Sequence, residues 1–273
     1  MNVLVTGVTG FLGTQIAKDC VSRDINCVGI SHSEPRDKKF QEAVPEVKTY
    51  CLDLASDHSI LRKVIKENKI THIVHCAAMK HIGICESNPT KAIRTNVIGS
   101  LNLIELANDL DVQNIVAVST DKAISPTSVY GSSKLLMEKS ILENGYSLIQ
   151  GVNFFFSTGS VLDIWEEKRK RGEPIGVNVN NPSRYFVMVN EISKCILDNL
   201  EHERGVIRLD TCFNVRLSDL AEAFCSYHDY HNTVDYTPIS VEKNDEEIPE
   251  GVSIVSADVD FLKVKLEEYY NVN

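Results

Sequence analysis

The chain has 273 residues, 43% of them hydrophobic and 24% charged, with a formal net charge of −10. That size fits one large domain, or a domain with a small appendage, of ordinary soluble composition. The negative balance argues against a nucleic-acid surface, and no apolar stretch approaches the ~18 residues of a membrane span. The opening MNVLVTG lacks a basic n-region and its apolar run ends at once in glycines, so a cytoplasmic protein is expected. The eight cysteines (Cys20, Cys27, Cys51, Cys76, Cys85, Cys195, Cys212 and Cys225) form no CxxC pair and no zinc-finger spacing with histidine. No metal site is expected, and the cysteines read as small buried hydrophobes in a reducing compartment.

In chain order, NVLVTG (2–7) is a short apolar run ending in glycine and reads as a buried strand. Residues 12–23 carry apolar positions at helical spacing, and NCVGIS is a second strand, with a third just before CLDLAS. A helix follows over 57–68, a strand at HIVHCAA (72–78), a long helix over 89–109 with Pro89 in its first turn, a strand at NIVAVST (114–120) and a helix over 131–144. Continuous apolar strands alternating with helices predict an α/β fold: a Rossmann-type, doubly wound parallel sheet covered on both faces. Beyond residue 150 the rhythm loosens. GVNFFF reads as a sixth strand, VLDIWEEKRKR as a helix with a charged face, 191–201 as a helix and VIRLD (206–210) as another strand. Helices over 217–226 and 257–270 flank an irregular acidic stretch, SVEKNDEEIPEG. The expected division is a dinucleotide-binding domain over 1–157, rejoined by sheet elements at about 186–212. Residues 158–185 and 213–273 then form a small substrate lobe over the C-terminal edge of the strands.

TGVTGFLG places Gly7, Gly10 and Gly13 three apart, between the first strand and the first helix. A tight turn there needs residues without Cβ, and a pyrophosphate must approach backbone N–H groups at a helix N-terminus. The end of the second strand selects the cofactor. An acid there binds the 2′-hydroxyl of NAD; here the strand is followed by HSEPRDKK. Ser31, His32, Ser33 and Arg36 are suited to a 2′-phosphate, which favours NADP, with NAD as the alternative. Asp53 either reaches the adenine or caps a turn.

Tyr130 and Lys134 lie four apart where a loop enters a helix, and so share a face. A nearby ammonium favours the phenolate, which takes a proton from an alcohol while its carbon gives hydride to a nicotinamide. Ser119 or Thr120, ending the preceding strand, completes the hydrogen-bond set to that alcohol.

These motifs, with HCAAMKHIGICESNPTKAIRTNVIGSLNLIE (75–105) and STDKAISPTSVYGSSKLLMEK (119–139), resemble the extended short-chain dehydrogenases/reductases. Within that group the chain is most similar to soluble UDP-N-acetylglucosamine 4,6-dehydratases of polysaccharide and flagellin-sugar biosynthesis. The likeness is strong from residue 1 to about 140 and thin after that. It implies an enzyme that oxidises C4 of a UDP-linked N-acetylhexosamine, removes water across C5 and C6, and returns hydride to C6. Asp121 is then the acid that protonates the departing C6 hydroxyl, and Lys122 the base at C5, on the strand-end loop. The chemistry asks Asp121 to hold its proton and Lys122 to lose its own, by burial or by a neighbouring cation such as Lys80. Without the flanking match, Asp121-Lys122 reads only as a loop cap beside a solvated lysine.

The implied cofactor contacts are Gly7, Thr9, Gly10, Phe11, Leu12, Gly13, Ser31, His32, Ser33, Arg36, Asp53, Leu54, Ala77, Ala78, Lys80, Asn96, Tyr130 and Lys134. The implied catalytic set is Thr120, Asp121, Lys122, Tyr130 and Lys134. Lys80, His81, Asp121, Lys122, Tyr130, Asn153 and Arg184 are implied to meet the sugar nucleotide, Arg184 through its diphosphate. Asn96 is expected to order backbone and water rather than to touch substrate. The family's substrate-loop string RxGNVxGSRGSV reads GVNFFFSTGSV here, with Thr158 in place of an arginine, and the C-terminal uridine-binding string has no clear counterpart. KRKR (168–171) reads as a solvated helix face. The alternatives are an NADPH-dependent 4-keto-sugar-nucleotide reductase, a 4-epimerase, or a nucleotide-sensing protein without chemistry; only the dehydratase needs Asp121-Lys122. In the family, the helices at 89–109 and 131–144 pair with a second subunit, which implies at least a homodimer.

Overall fold

The computed structural model describes residues 1–178, 180, 182–201, 204–231, 235–237 and 248–272. Up to Gly151 the elements are β1 (Asn2–Thr6), α1 (Phe11–Ser22), β2 (Asn26–Ser31), α2 (Glu34–Ala43), β3 (Lys48–Cys51), α3 (His58–Glu67), β4 (His72–His75), α4 (Ile82–Ser87) and α5 (Pro89–Ile93). A π-helical segment (Arg94–Ile98), α6 (Gly99–Asp109), β5 (Asn114–Thr120), a 3-10 turn (Asp121–Ala123), α7 (Val129–Glu143) and β6 (Ser147–Gly151) follow. The rest comprises β7 (Asn153–Phe154), α8 (Val161–Arg171), β8 (Gly176–Asn178), β9 (Ser183–Val187), α9 (Val189–Asp198), β10 (Val206–Ile207), β11 (Thr211–Arg216), α10 (Leu217–Tyr227), β12 (Asp235–Thr237), β13 (Ser253–Ser256) and α11 (Val259–Val272).

Met1–Gly151 and Val189–Leu209 make one compact unit; Val152–Met188 and Asp210–Asn273 make a second. The first holds a seven-stranded sheet in the order β10-β6-β5-β4-β1-β2-β3, parallel throughout. β1, β4 and β5 are buried almost without interruption, as strands covered on both faces must be. Leu4, Ile73 and Ile115 pack with Leu61, Leu103 and Ile141 from α3, α6 and α7 in one apolar cluster. Thr6 lies in register with Ile30 and His75, and Thr120 with Gly151. The C-terminal strand ends therefore form a row, the edge at which ligands bind in such sheets.

Three expectations need correction. The sixth strand is Ser147–Gly151, not GVNFFF, and Asn153–Phe154 pairs with β9 instead. An aromatic run without alternation gave no boundary, whereas SLIQG is bracketed by Gly145 and Gly151. The expected single helix over 89–109 carries a π-helical turn at Arg94–Ile98. Of the cysteines, Cys51 is exposed and Cys76, Cys195 and Cys225 are only partly buried.

The second unit contains a four-stranded sheet, β13-β11-β9-β7, and a two-stranded one, β12-β8. Its core is aromatic: Trp165, Phe155, Phe186, Phe213 and Phe224 are buried, and the Trp165 indole N–H donates to the Gly176 carbonyl at 3.0 Å. The basic run on α8 is engaged with acids of its own neighbourhood, Arg169 with Glu166 at 2.7 Å and Arg171 with Glu173 at 3.6 Å. Most of the acidic stretch lies outside the described residues.

Candidate active site

The glycine turn is built as the spacing requires. Gly7 has φ +68°, and a Cβ there would lie 2.8 Å from the Ala77 backbone. A Cβ on Gly13 would run into the Gly7 carbonyl. Only glycine allows this approach between the turn, the first turn of α1 and the chain after β4. No side chain caps α1 at Gly10, so no capping side chain takes up its first amides. Ser31, the last residue of β2, is 2% exposed, and its hydroxyl has no hydrogen-bond partner among the described residues. Glycines that exclude side chains and an orphaned hydroxyl fit a dinucleotide. Ser33 opens α2 without a side-chain cap bond, and His32 and Arg36 are exposed beside it. Asp53 accepts from the Ala55 N–H (2.9 Å) and the Ser56 hydroxyl (3.1 Å), so its carboxylate closes a turn. Leu54 is buried against the face where Gly99 admits it, Ala77 lies beside the glycine turn, and the next residue, Ala78, is partly buried.

Behind this turn runs a buried polar chain. The Ala77 N–H donates to Thr6 Oγ1 (3.3 Å), which lies 2.7 Å from His75 Nδ1. His75 Nε2 lies 2.8 Å from Ser100 Oγ, whose proton goes to the Asn96 carbonyl at 2.8 Å. Since Ser100 donates onward, His75 carries its proton on Nε2 and accepts from Thr6 on Nδ1. Burial, with the Lys134 ammonium adding, pushes His75 down to about 3. Asn96, in the π-helical turn, closes both ends of the Met79 backbone: its Oδ1 accepts from Met79 N–H at 2.7 Å and its amide donates to Met79 O at 3.0 Å. It also donates to Ser133 Oγ at 2.9 Å, tying this helix to α7. A π turn commonly marks such a functional offset of a side chain.

Tyr130 and Lys134 open α7, whose N-cap is Ser128. Lys134 is 2% exposed and donates to the Val118 carbonyl at 2.8 Å, with Met137 Sδ at 3.2 Å. Burial lowers its ammonium to about 8, with Glu138 and Cys76 working the other way. Glu138, one turn on and 6% exposed, accepts from the Gln150 amide at 3.0 Å. The expected lowering of the Tyr130 phenol is not found. Burial pushes it up, against a hydrogen bond from Thr120, while the Asp121 carboxylate adds to the rise. The physical reason is that Lys134 is turned to backbone and sulfur, so desolvation wins.

Asp121 and Lys122 form the 3-10 turn directly after β5. Lys122 Nζ lies 3.0 and 3.1 Å from the two carboxylate oxygens, and the Asp121 side chain is 2% exposed against 22% for Lys122. The Thr120 hydroxyl donates to Asp121 Oδ1 at 2.8 Å. A Cβ on Gly131 would strike the Lys122 carbonyl, so the glycine after Tyr130 lets α7 close against this turn. Thr120, Asp121, Lys122 and Tyr130 are thus brought together. Ser119 Oγ is buried and has no partner among the described residues.

Lys80 and His81 are exposed at the start of α4. Asn153 and Arg184 belong to the second unit, where the Asn153 amide donates to Tyr185 O (3.0 Å) and Arg184 Nη1 to Ser183 O (3.0 Å). Sequence reasoning missed His75, Ser100, Ser133, Gly131 and Glu138. It also missed Glu86, whose carboxylate accepts from the Val129 N–H at 2.7 Å and pins α7 to α4. Two histidines inside the apolar run HIVH were the only signal for the first.

This combination of sheet, glycine turn and Tyr–Lys helix defines an extended short-chain dehydrogenase/reductase. The chain belongs to the family described as polysaccharide biosynthesis protein, whose profile matches residues 3–249. It is 30% identical over 236 residues to an uncharacterized membrane protein, MJ1061, of Methanocaldococcus jannaschii, covering 81% of this chain and 69% of that one. It is 25% identical over 287 residues to the UDP-N-acetylglucosamine 4,6-dehydratase (inverting) of Campylobacter jejuni, covering 100% and 82%. Some relatives are much longer: the chain spans 39% of the Staphylococcus aureus capsular polysaccharide biosynthesis protein CapD. A solved UDP-glucose 4-epimerase from Thermotoga maritima, with UDP-glucose, shares the fold at TM-score 0.82 and 18% identity over 100% of this chain and 99% of that one. Among the described residues, no helix is long and apolar enough to cross a membrane.

Proposed function

We propose that the protein is a nucleotide-sugar 4,6-dehydratase acting on a UDP-linked N-acetylhexosamine with NADP. The observation that carries this reading is the buried Asp121 carboxylate, ion-paired to Lys122 and bonded to Thr120, next to Tyr130. A reductase or an epimerase has no use for that pair.

A bound nicotinamide would supply reversible hydride transfer, out of C4 of the sugar and into C6. The glycine turn and the first amides of α1 would hold the pyrophosphate, and Ser31, His32, Ser33 and Arg36 would take the 2′-phosphate of NADP. Lys134 and Tyr130 hold the ribose side and remove the C4 hydroxyl proton. Lys122 takes the C5 proton and later returns one. Asp121 protonates the C6 hydroxyl as it leaves as water. The ion pair already holds one proton between its members, and moving it to the carboxylate yields the neutral acid and free amine that elimination needs. Asn153 and Arg184 are assigned to the UDP-sugar, and Asn96 to ordering the chain at Met79. A homodimer through α5, α6 and α7 belongs to the same reading, supported by the exposed Ile93, Ile98, Leu101 and Leu136. Sedimentation at micromolar concentration as a monomer would remove that part.

The test is incubation with UDP-N-acetylglucosamine and catalytic NADP in D2O, followed by mass and proton spectra. Loss of water, one deuterium at C5 and no net cofactor consumption are expected, with NADP supporting faster turnover than NAD. An inert substrate, together with NADPH oxidation on a 4-keto-6-deoxy sugar nucleotide, would replace this reading by a reductase. A C4-inverted product with all its oxygens would replace it by an epimerase.

A further inference from the structure

Two charges of α7 are buried without an ion-pair partner in contact. Lys134 and Glu138 are 2% and 6% exposed. The Lys134 ammonium donates to the Val118 carbonyl at 2.8 Å and meets Met137 Sδ at 3.2 Å. Both oxygens of the Glu138 carboxylate face the Gln150 amide, at 3.0 and 3.2 Å. Among the described residues, all these bonds go to neutral groups. A charge taken out of water is costly unless an opposite charge stands near it. Each of the two therefore needs a counter-charge that its own hydrogen bonds do not supply.

The helix brings that counter-charge. Positions 134 and 138 are four apart within α7, so the two side chains share a face one turn apart. The sheet fixes both. Val118 lies on β5 and Gln150 on β6, where Gln150 is in register with Ser119. One turn of α7 is thus strapped to β5 through the ammonium, and the next to β6 through the carboxylate. Gln150 is suited to its place because an amide holds the carboxylate without cancelling its charge. A cation there would neutralise Glu138 and leave Lys134 alone. The other ionisable groups around the ammonium are neutral near pH 7. His75, ending β4, is lowered to about 3, desolvation pushes the Cys76 thiol after it up to about 12, and burial raises the Tyr130 phenol on α7 itself.

We propose that Glu138 is a positioning residue for the oxidising pair: its buried carboxylate is the counter-charge that keeps the Lys134 ammonium protonated for its work with Tyr130. A phenolate is favoured by a charged lysine and not by a neutral amine, so without Glu138 the phenol stays where burial puts it. The inference rests on the reading of Tyr130 and Lys134 as the pair that oxidises the sugar, and it holds equally for dehydration and epimerisation.

The test compares Glu138→Gln, which keeps the size without the charge, with Glu138→Asp, which keeps the charge. NMR of the full chain, with lysine labelled with ¹³C at Cε, follows the titration of Lys134, assigned through Lys134→Arg. Lys134 is expected to titrate at about 8 in the wild type. In Glu138→Gln it should titrate about one pH unit lower, and in Glu138→Asp close to the wild type. Turnover of UDP-N-acetylglucosamine should equal the wild type at acid pH, where the ammonium is charged in both, and its alkaline loss should move down with the titration in Glu138→Gln. A glutamine variant in which Lys134 titrates as in the wild type overturns the proposal. So does turnover lowered by the same factor at every pH, the mark of a purely structural role, and so does an aspartate variant that follows the glutamine one. Should Glu138→Gln fail to fold, Lys134→Met/Glu138→Gln decides. Folding is expected to return once the orphaned ammonium is gone, and a double variant that stays unfolded overturns the pairing. Full turnover in Lys134→Met sinks the reading of the oxidising pair instead. A wild type without elimination sinks only the dehydratase reading and leaves the titration to decide for Glu138.

Discussion

The two acid–base pairs of the site are held in opposite ways. Lys134 is anchored to the backbone of β5 and lies one turn from a buried carboxylate, Glu138, while Asn96, Ser133 and the chain from Thr6 through His75 to Ser100 fix the elements around it. Lys122 is the more exposed partner of a short turn and is bound chiefly to its own neighbour, Asp121. The first arrangement suits a group that must stay in one place and one charge state. The second suits a pair that trades a proton and must reach different carbons of a sugar. What separates them is not residue type, since each contains a lysine, but whether the surrounding secondary structure takes up the ammonium protons.

Removing the phenol should have the largest consequence. Tyr130→Phe is expected to lower kcat by about 10³-fold and to abolish exchange of the C5 hydrogen with solvent along with dehydration. Asp121→Asn should lose dehydration by about 10²-fold yet keep exchange of the C5 hydrogen, which mass spectrometry of substrate recovered from D2O would read. Equal loss of both activities in the two variants would erase the distinction between the pairs.

The buried chain behind the glycine turn is the next place to cut. His75→Gln should cost about 2–3 kcal/mol in urea denaturation, because Thr6 and Ser100 lose a matched partner. The pH dependence has a definite sign. Burial lowers the folded His75 from 6.5 to about 3, so the unfolded chain takes up the proton first. Its contribution is present in full above 6.5 and falls as pH drops towards 3, by up to ~1.4 kcal/mol per pH unit. The difference in slope between wild type and variant isolates this component, and identical slopes would show that His75 is charged in the folded protein.

The smallest effect belongs to the rim of the site. Arg36 is exposed at the first turn of α2, so Arg36→Ala should weaken NADP binding by about 10-fold or less and leave NAD binding unchanged. Titration of both cofactors reads it, and equal losses for both would remove Arg36 from cofactor selection.

Much of the first unit was legible without coordinates. Continuous apolar strands, helical spacing and glycine punctuation carry their signal within a window of a few residues, which is why β1, β2, β5 and the glycine turn fall where expected. The strands β9, β11 and β13 of the second unit were missed, because SRYFV and TCFNVR make sense only as partners, and β-pairing is set by residues far away in the chain.

For the site, the chain alone determined which chemistries are present: three glycines at a turn, a tyrosine and a lysine one helical turn apart, and a carboxylate beside an amine. Only the tertiary structure decided how each group is held. It decided that Lys134 turns to Val118, that desolvation raises the phenol, that Thr120 donates to the buried Asp121 carboxylate, and that a histidine in an apolar strand completes a polar chain. These are consequences of burial and of contacts between residues far apart in sequence, and the free energy of a charge depends on what surrounds it in space.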